Sequence, residues 1–148
     1  LTFKGVTQGT YDSWRDRHHL AAQPVTEMNP LEARALYREL YWLKAYCDQC
    51  PKKIATVVFD CAVNCGVGTA RSHLNQACEQ ANLQIGDLKS IDPKQLKELG
   101  MSLIALRRNH HSNIIKNDSS QKDFQRGWTN RIDRLASLVA TIQDPTSI

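Results

Sequence analysis

The stretch VVFDCAVNCG, Val57 to Gly66, decides how this chain is read. Val57, Val58, Phe59, Ala62 and Val63 read as the core side of a helix. Asp60 and Asn64 interrupt them four residues apart, so the two polar groups share one helix face. A carboxylate and an amide do not sit in an apolar helix unless they are hydrogen-bonded. The helix therefore either buries a satisfied polar pair or lines a polar cleft, and these residues alone do not choose between the two.

Outward from that stretch, the pattern is helical in both directions. Thr10 is expected to cap a short helix carrying Tyr11, Trp14 and Arg15. Asn29-Pro30 combines a capping Asn with Pro in the first turn, a strong helix start. Leu31, Ala35, Leu36 and Leu40 follow at helical spacing, and that helix is expected to end near Tyr41-Trp42. Pro51 opens the helix that contains Asp60 and Asn64, and Gly66 and Gly68 are expected to break it at about Cys65. Thr69 can cap a helix through Leu74, Ala77, Cys78 and Ala81. The segment 82–90 reads as a connection.

Asp92-Pro93 starts a long helix with Leu96, Leu99, Leu103, Ile104, Leu106 and Ile114. A polar break follows over 117–120. The last helix is expected from about Lys122 to Ile142, with Phe124, Trp128, Ile132, Leu135 and Leu138 on one stripe and Asp144-Pro145 at its end. The fold class is mainly α, with six or seven helices and a short hairpin or extended piece near Thr2 to Thr7. Phe59, Val63, Leu103, Leu106, Ile132 and Leu135 are expected in one core. No repeat or long linker divides the 148 residues, a length that supports one domain.

Composition narrows the class. Hydrophobic content of 41% and charged content of 23% are those of a globular chain. No apolar run approaches the roughly 20 residues of a membrane span. The first residues, LTFKGVTQ, have neither a signal-peptide pattern nor an initiator Met, and the sequence is expected to begin inside a longer gene product. A net charge of +4 permits an anionic partner, but the basic residues are scattered and no aromatic-basic or helix-turn-helix motif points to nucleic acid.

The five cysteines include Cys47-x-x-Cys50 and the one-turn pair Cys61 and Cys65, with Cys78 alone. Four of them could form a zinc site, Cys47-x-x-Cys50 a redox pair, or all five could be buried thiols. A hydrophobic helix is a poor frame for a zinc ribbon, so buried thiols without metal or cofactor are expected. The odd count favours folding in a reducing compartment. The pairs His18-His19 and His110-His111 read as exposed helix positions, since adjacent residues do not share a face.

Four segments together resemble one family. LTFKGVTQGTYDSW is similar to the segment that follows the catalytic glutamate in the glycoside hydrolase family 108 muramidases, lysozyme-like enzymes of bacteria and phages. EARALYRELYW (32–42) resembles that family's second block and FDCAVNCG (59–66) its best-marked one. FQRGWTNRIDRL (124–135) resembles the end of its appended peptidoglycan-binding region. The resemblance implies a lysozyme-like helical domain over 1–148, with 1–81 like a catalytic lobe and 82–148 like the peptidoglycan-binding helices. It implies cleavage of the MurNAc–GlcNAc bond of bacterial cell wall, peptidoglycan strands as partner, and action at the cell envelope after cytoplasmic folding and delivery by another route.

The same resemblance assigns residues. Thr2 falls where lysozyme-like folds place a hydroxyl near the attacking water; its alternative is a turn hydroxyl bound to backbone. Asp60 would be a cleft carboxylate or a helix-positioning acceptor. Asn64 would bind substrate or cleft backbone. Tyr41 and Trp42 offer faces for sugar stacking, or pack in the core. Trp128 and Asn130, with Arg131, would hold the C-terminal helix, and Arg131 can pair with Asp60 or another buried acid.

The family's general acid, a Glu in a Glu-Gly-Gly segment, would precede Leu1. Glu27 and Glu32 lie in the wrong segment, and Glu32 reads as first-turn charge. Either an upstream piece supplies the acid, or the chain is a non-catalytic wall-binding or structural module, as in a phage tail or envelope assembly.

Overall fold

The computed structural model describes residues 1–142. The expected stop at Asp144-Pro145 lies outside them. The chain divides into two compact units, Leu1–Leu40 and Tyr41 onward.

In the first unit, β1 (Thr2–Phe3) and β2 (Val6–Thr7) form an antiparallel hairpin, with Thr2 opposite Thr7 and Phe3 opposite Val6. Lys4 and Gly5 between them have φ of 52° and 78°, the positive-φ pair a type I′ turn needs. The Tyr37 hydroxyl donates to the Lys4 carbonyl at 2.6 Å and would lie 2.9 Å from a Cβ on Gly5. The next helix is α1 (Gln8–Arg17). Its cap is Thr7, not Thr10: the Thr7 hydroxyl accepts from the Thr10 N–H at 3.2 Å. A threonine three residues earlier in the chain left the correct cap equally legible, and strand pairing at Thr7 decides it.

A single 3-10 turn (Val25–Glu27) leads to α2 (Pro30–Tyr37), capped by Asn29 as the sequence implies. A π turn then carries Arg38–Trp42. Val6, Tyr11, Trp14, Val25, Met28 and Leu36 form the core of this unit.

The second unit is built on α3 (Lys52–Cys65), α4 (Val67–Gln80), α5 (Pro93–Asn117) and α6 (Gln125–Ala140). Helix α3 packs against the other three. Its buried residues are Ile54, Ala55, Val57, Val58, Cys61 and Ala62, the i, i+3, i+4, i+7 stripe of a core helix. Val63, expected in the core, is 37% exposed, because it is rotated past the edge of that stripe. Phe59 and Leu106 are half-buried against the core rather than inside it. Leu103, Ile132 and Leu135 are buried as expected.

Only Gly66, at φ 97°, breaks the chain between α3 and α4. Gly68 continues inside α4, and Gly66 rather than Thr69 precedes that helix. Asp92 starts α5 with a full capping box: its carboxylate accepts from the Gln95 N–H at 2.8 Å, and its own N–H donates to the Gln95 side chain at 3.3 Å. Residues Ile85–Ser90 and Ser119–Phe124 are 3-10 turns. The second of these displaces Phe124 from the α6 stripe and leaves it exposed, while Val139 takes the buried place expected for Leu138. Among the described residues there are six α-helices and one two-strand hairpin, and no helix is long and apolar enough to cross a membrane.

Candidate functional site

Asp60, the acidic member of the polar pair that opens the sequence reading, faces α5 and α6 from α3. Both oxygens of Asp60 are engaged. Arg107 of α5 donates from Nη1 to Oδ2 at 3.0 Å, and Arg131 of α6 donates from Nη1 to Oδ1 at 2.6 Å. The Arg107 side chain is 3% exposed and that of Arg131 48%. One carboxylate thus pins three helices, with one buried and one wet partner. A buried guanidinium requires such a partner.

Arg107 also donates from Nε to Nε2 of His111, one turn along α5, at 2.9 Å. The imidazole proton therefore lies on Nδ1, which has no protein partner. His111 was expected to be exposed; it is buried, with its ring against Trp128 at a centroid distance of 4.5 Å. Burial first, and then the charge of Arg107, push its pKa down to about 4. The imidazole is neutral at neutral pH. Burial likewise lowers His73 and His110.

Sulfur lies alongside. Cys65 Sγ is 3.9 Å from His111 Nε2, and Cys61 Sγ is 3.9 Å from His73 Nδ1. The neighbouring Cys61 thiol and then the Arg107 guanidinium hold Cys65 below the ordinary thiol range, while its neighbour and burial push Cys61 up. Burial raises Cys47 and Cys50, each to about 12. All five cysteines are free thiols and four of them are buried.

The other sequence-derived residues lie apart. Asn64 is exposed and donates from Nδ2 to the backbone carbonyl of Asp60 at 2.8 Å. Trp42 packs edge-on against Phe59 at 5.4 Å and lines a separate cavity of about 450 Å³ with Cys47, Pro51 and Lys89. Tyr41 is half-buried against the same core. Trp128 stacks between His111 and Phe124 and borders a cavity of about 140 Å³ with Ser112, Gln125 and Thr129. Asn130 lines a different depression of about 510 Å³ with Arg126. Thr2 is an exposed hairpin residue of the first unit.

Two acids of the first unit, Glu32 and Glu39, are occupied. Glu32 accepts from the Tyr11 hydroxyl and from Arg15 Nη1 at 3.0 Å. Glu39 accepts from Trp14 Nε1 and pairs with His18, both at 2.9 Å, and the His18 contact lowers its pKa.

Residues 1–66 match the family model described as glycosyl hydrolase 108. Over that segment the chain is similar to the glycosyl hydrolase 108 family. The match spans the hairpin, α1, α2 and α3, and so includes Thr2, Tyr41, Trp42, Asp60 and Asn64. The solved structure of Brucella abortus SagA shares the fold, with a TM-score of 0.59 at 18% identity, over 96% of this chain and 81% of that one. No curated protein matches the sequence. Arg131 as a partner of Asp60 was legible beforehand; Arg107 and His111 were not. Their signal was an i, i+4 pair flanked by Leu103, Ile104 and Leu106, where a solvated Arg is out of place.

Proposed function

We propose that this chain is the wall-recognising part of a muramidase that hydrolyses the MurNAc–GlcNAc bond of peptidoglycan. The family match over residues 1–66 carries the reading. Hydrolysis of a glycosidic bond needs a protonated carboxyl at the leaving oxygen and a second group on the water or the developing cation. Both oxygens of Asp60 are taken by guanidinium groups, which leaves neither facing a leaving oxygen. Asp60 acts as a positioning residue that fixes α3. The resemblance assigns Thr2 the hydroxyl near the attacking water, and Tyr41, Trp42, Asn64, Trp128 and Asn130 the contacts with substrate.

Glu32 and Glu39 are committed to partners inside the first unit. As the family resemblance implies, we assign the general acid to a residue outside 1–148. That same observation favours a second reading, a non-catalytic wall-binding module in a phage or envelope assembly.

Release of reducing sugar from purified peptidoglycan, with sedimentation binding in parallel, separates the two. Residues 1–148 alone are expected to bind wall without appreciable turnover, because loss of general acid–base help removes roughly 10²–10⁴ in rate. The protein carrying the residues that naturally precede Leu1 is expected to cleave. Robust cleavage by 1–148 alone would refute the assignment of the acid, and failure of the extended protein on every wall type would favour the module.

A further inference from the structure

Helices α5 and α6 pack closely along one line and leave a trough beside it. Gly100 of α5 has no side chain, and Val139 Cγ1 of α6 lies only 2.7 Å from where a Cβ would stand. Next to that contact the sequence supplies little bulk. Met101, Ile104 and Ala105 of α5, with Ala136, Val139 and Ala140 of α6, line a cavity of about 450 Å³. Small-molecule sites span roughly 300–1,000 Å³. Contacts between helices are normally filled to the density of the interior.

Charge at the ends of the trough selects an occupant. Lys97 and Arg108 complete the α5 side, about 16 Å apart along the helix. The two helices run antiparallel here, since Gly100 meets Val139 and Arg108 meets Asp133, so Lys97 lies at the Ala140 end. Arg108 is already paired with Asp133 at 2.9 Å. Lys97 is half-buried, and no ion pair among the described residues includes it. Among the described residues no acid lines the cavity; Glu98, beside Lys97 in the chain, is exposed and outside it. A partly buried cation gains from a counter-charge. The trough thus combines an apolar body with one uncompensated positive charge at one end.

We propose that this trough binds a small amphiphilic monoanion, an alkyl carboxylate taken from solution, with its chain between α5 and α6 and its carboxylate at Lys97. A neutral chain leaves Lys97 unpaired, a cationic one is repelled by both ends, and a dianion finds the second cation taken. Among the described residues Met101 is the one large apolar side chain of α5 and α6 that is exposed. That suits a single chain held in a slot. A bilayer surface or a partner protein calls for a broader apolar face.

The chain has two methionines, and they make the test internal. Met101 lines the trough, while Met28 is buried in the core of the first unit. In the full chain with ¹³C-labelled methionine methyls at neutral pH, sodium decanoate below its micelle concentration is expected to shift the Met101 methyl saturably and leave Met28 in place. 1-Decanol is expected to bind about three- to fivefold more weakly, the worth of a half-exposed ion pair, and decyltrimethylammonium more weakly still. Lys97→Gln should abolish the difference between decanoate and decanol. Ala136→Leu, or Ala105→Leu at the exposed rim, fills the trough and should weaken both ligands at least about tenfold, with far-UV circular dichroism confirming the fold. A Met101 shift that does not saturate, a Met28 shift that accompanies it, equal affinity for the three headgroups, or no effect of Lys97→Gln would overturn the proposal. So would a Met101 shift that follows protein concentration without ligand, the mark of a second copy. One seen only with phosphatidylglycerol vesicles would assign the trough to a membrane surface instead.

Discussion

Replacing Asp60 by Asn tests the clasp between α3, α5 and α6 directly. The exchange keeps side-chain shape and one acceptor oxygen but removes the charge. Arg107, with a side chain 3% exposed, is left with the neutral His111 nitrogen as its remaining acceptor. Breaking a buried ion pair from one side costs about 3–5 kcal/mol, because a charge is left uncompensated. Asn retains a hydrogen bond to Arg107, so a loss of about 3 kcal/mol is expected. Arg131 contributes little to that figure, since an ion pair with a half-exposed arginine is worth about 0–1 kcal/mol.

The asymmetry is the stronger test. Arg107→Met leaves Asp60, 18% exposed, with Arg131 and some solvent, and an apolar side chain of similar length fills the buried place. Arg107→Met should therefore cost less than Asp60→Asn, and Arg131→Ala less than about 1 kcal/mol. Urea unfolding followed by far-UV circular dichroism gives the three values, provided the slope with denaturant is unchanged. Equal losses for Asp60→Asn and Arg131→Ala would refute the argument that the buried pair dominates.

Other outcomes follow from the packing. Gly100→Ala places a methyl 2.7 Å from Val139 Cγ1 and 3.2 Å from Ile54 Cδ1; overpacking of about 1–3 kcal/mol outweighs the ~1 kcal/mol gain in helix propensity, so the thermal midpoint should fall, and Val139→Ala should restore part of it. Gly127→Ala, in open space on α6, should instead raise stability by about 0.5 kcal/mol in the same melt. Phe59→Ala should cost about 2 kcal/mol, less than the roughly 3–5 of a fully buried ring, because Phe59 is half-buried and its edge contact with Trp42 is what is lost. His111 is held neutral down to about pH 4 in the folded chain but titrates near 6.5 when unfolded. The unfolded chain then binds the extra proton, so this stability is full above pH 6.5 and is lost as pH falls toward 4, on the order of 3 kcal/mol in all. His111→Gln should flatten that interval in urea midpoints measured from pH 7 to pH 4.

The helices were legible because their signals are local. Asn29-Pro30, Pro51, Gly66 and Asp92-Pro93 each mark a boundary through backbone geometry that one or two residues determine. The errors arise where a neighbour in space decides. Thr7 outcompetes Thr10 as a cap because the β1–β2 pairing ends there. Val63 is exposed because α3 turns a stripe narrower than its apolar content toward α4, α5 and α6. Phe124 leaves the α6 stripe because a 3-10 turn breaks the helical period before it.

The candidate site shows the same division more sharply. Asp60 stood out because a carboxylate contradicts its apolar neighbours, and Arg131 because its segment resembled a known block. Arg107 carries an equal contradiction, following Leu103, Ile104 and Leu106 with His111 one turn on, but the adjacent Arg108 gives the pair the pattern of ordinary surface charge. The structure separates them: Arg108 pairs with Asp133 at an exposed position, and Arg107 is buried. A charged residue on an apolar stripe implies a counter-charge on whichever helix that stripe packs against. Taken as a rule, the anomaly at position 107 and the anomaly at position 60 call for each other, since each is the partner the other lacks within its own helix.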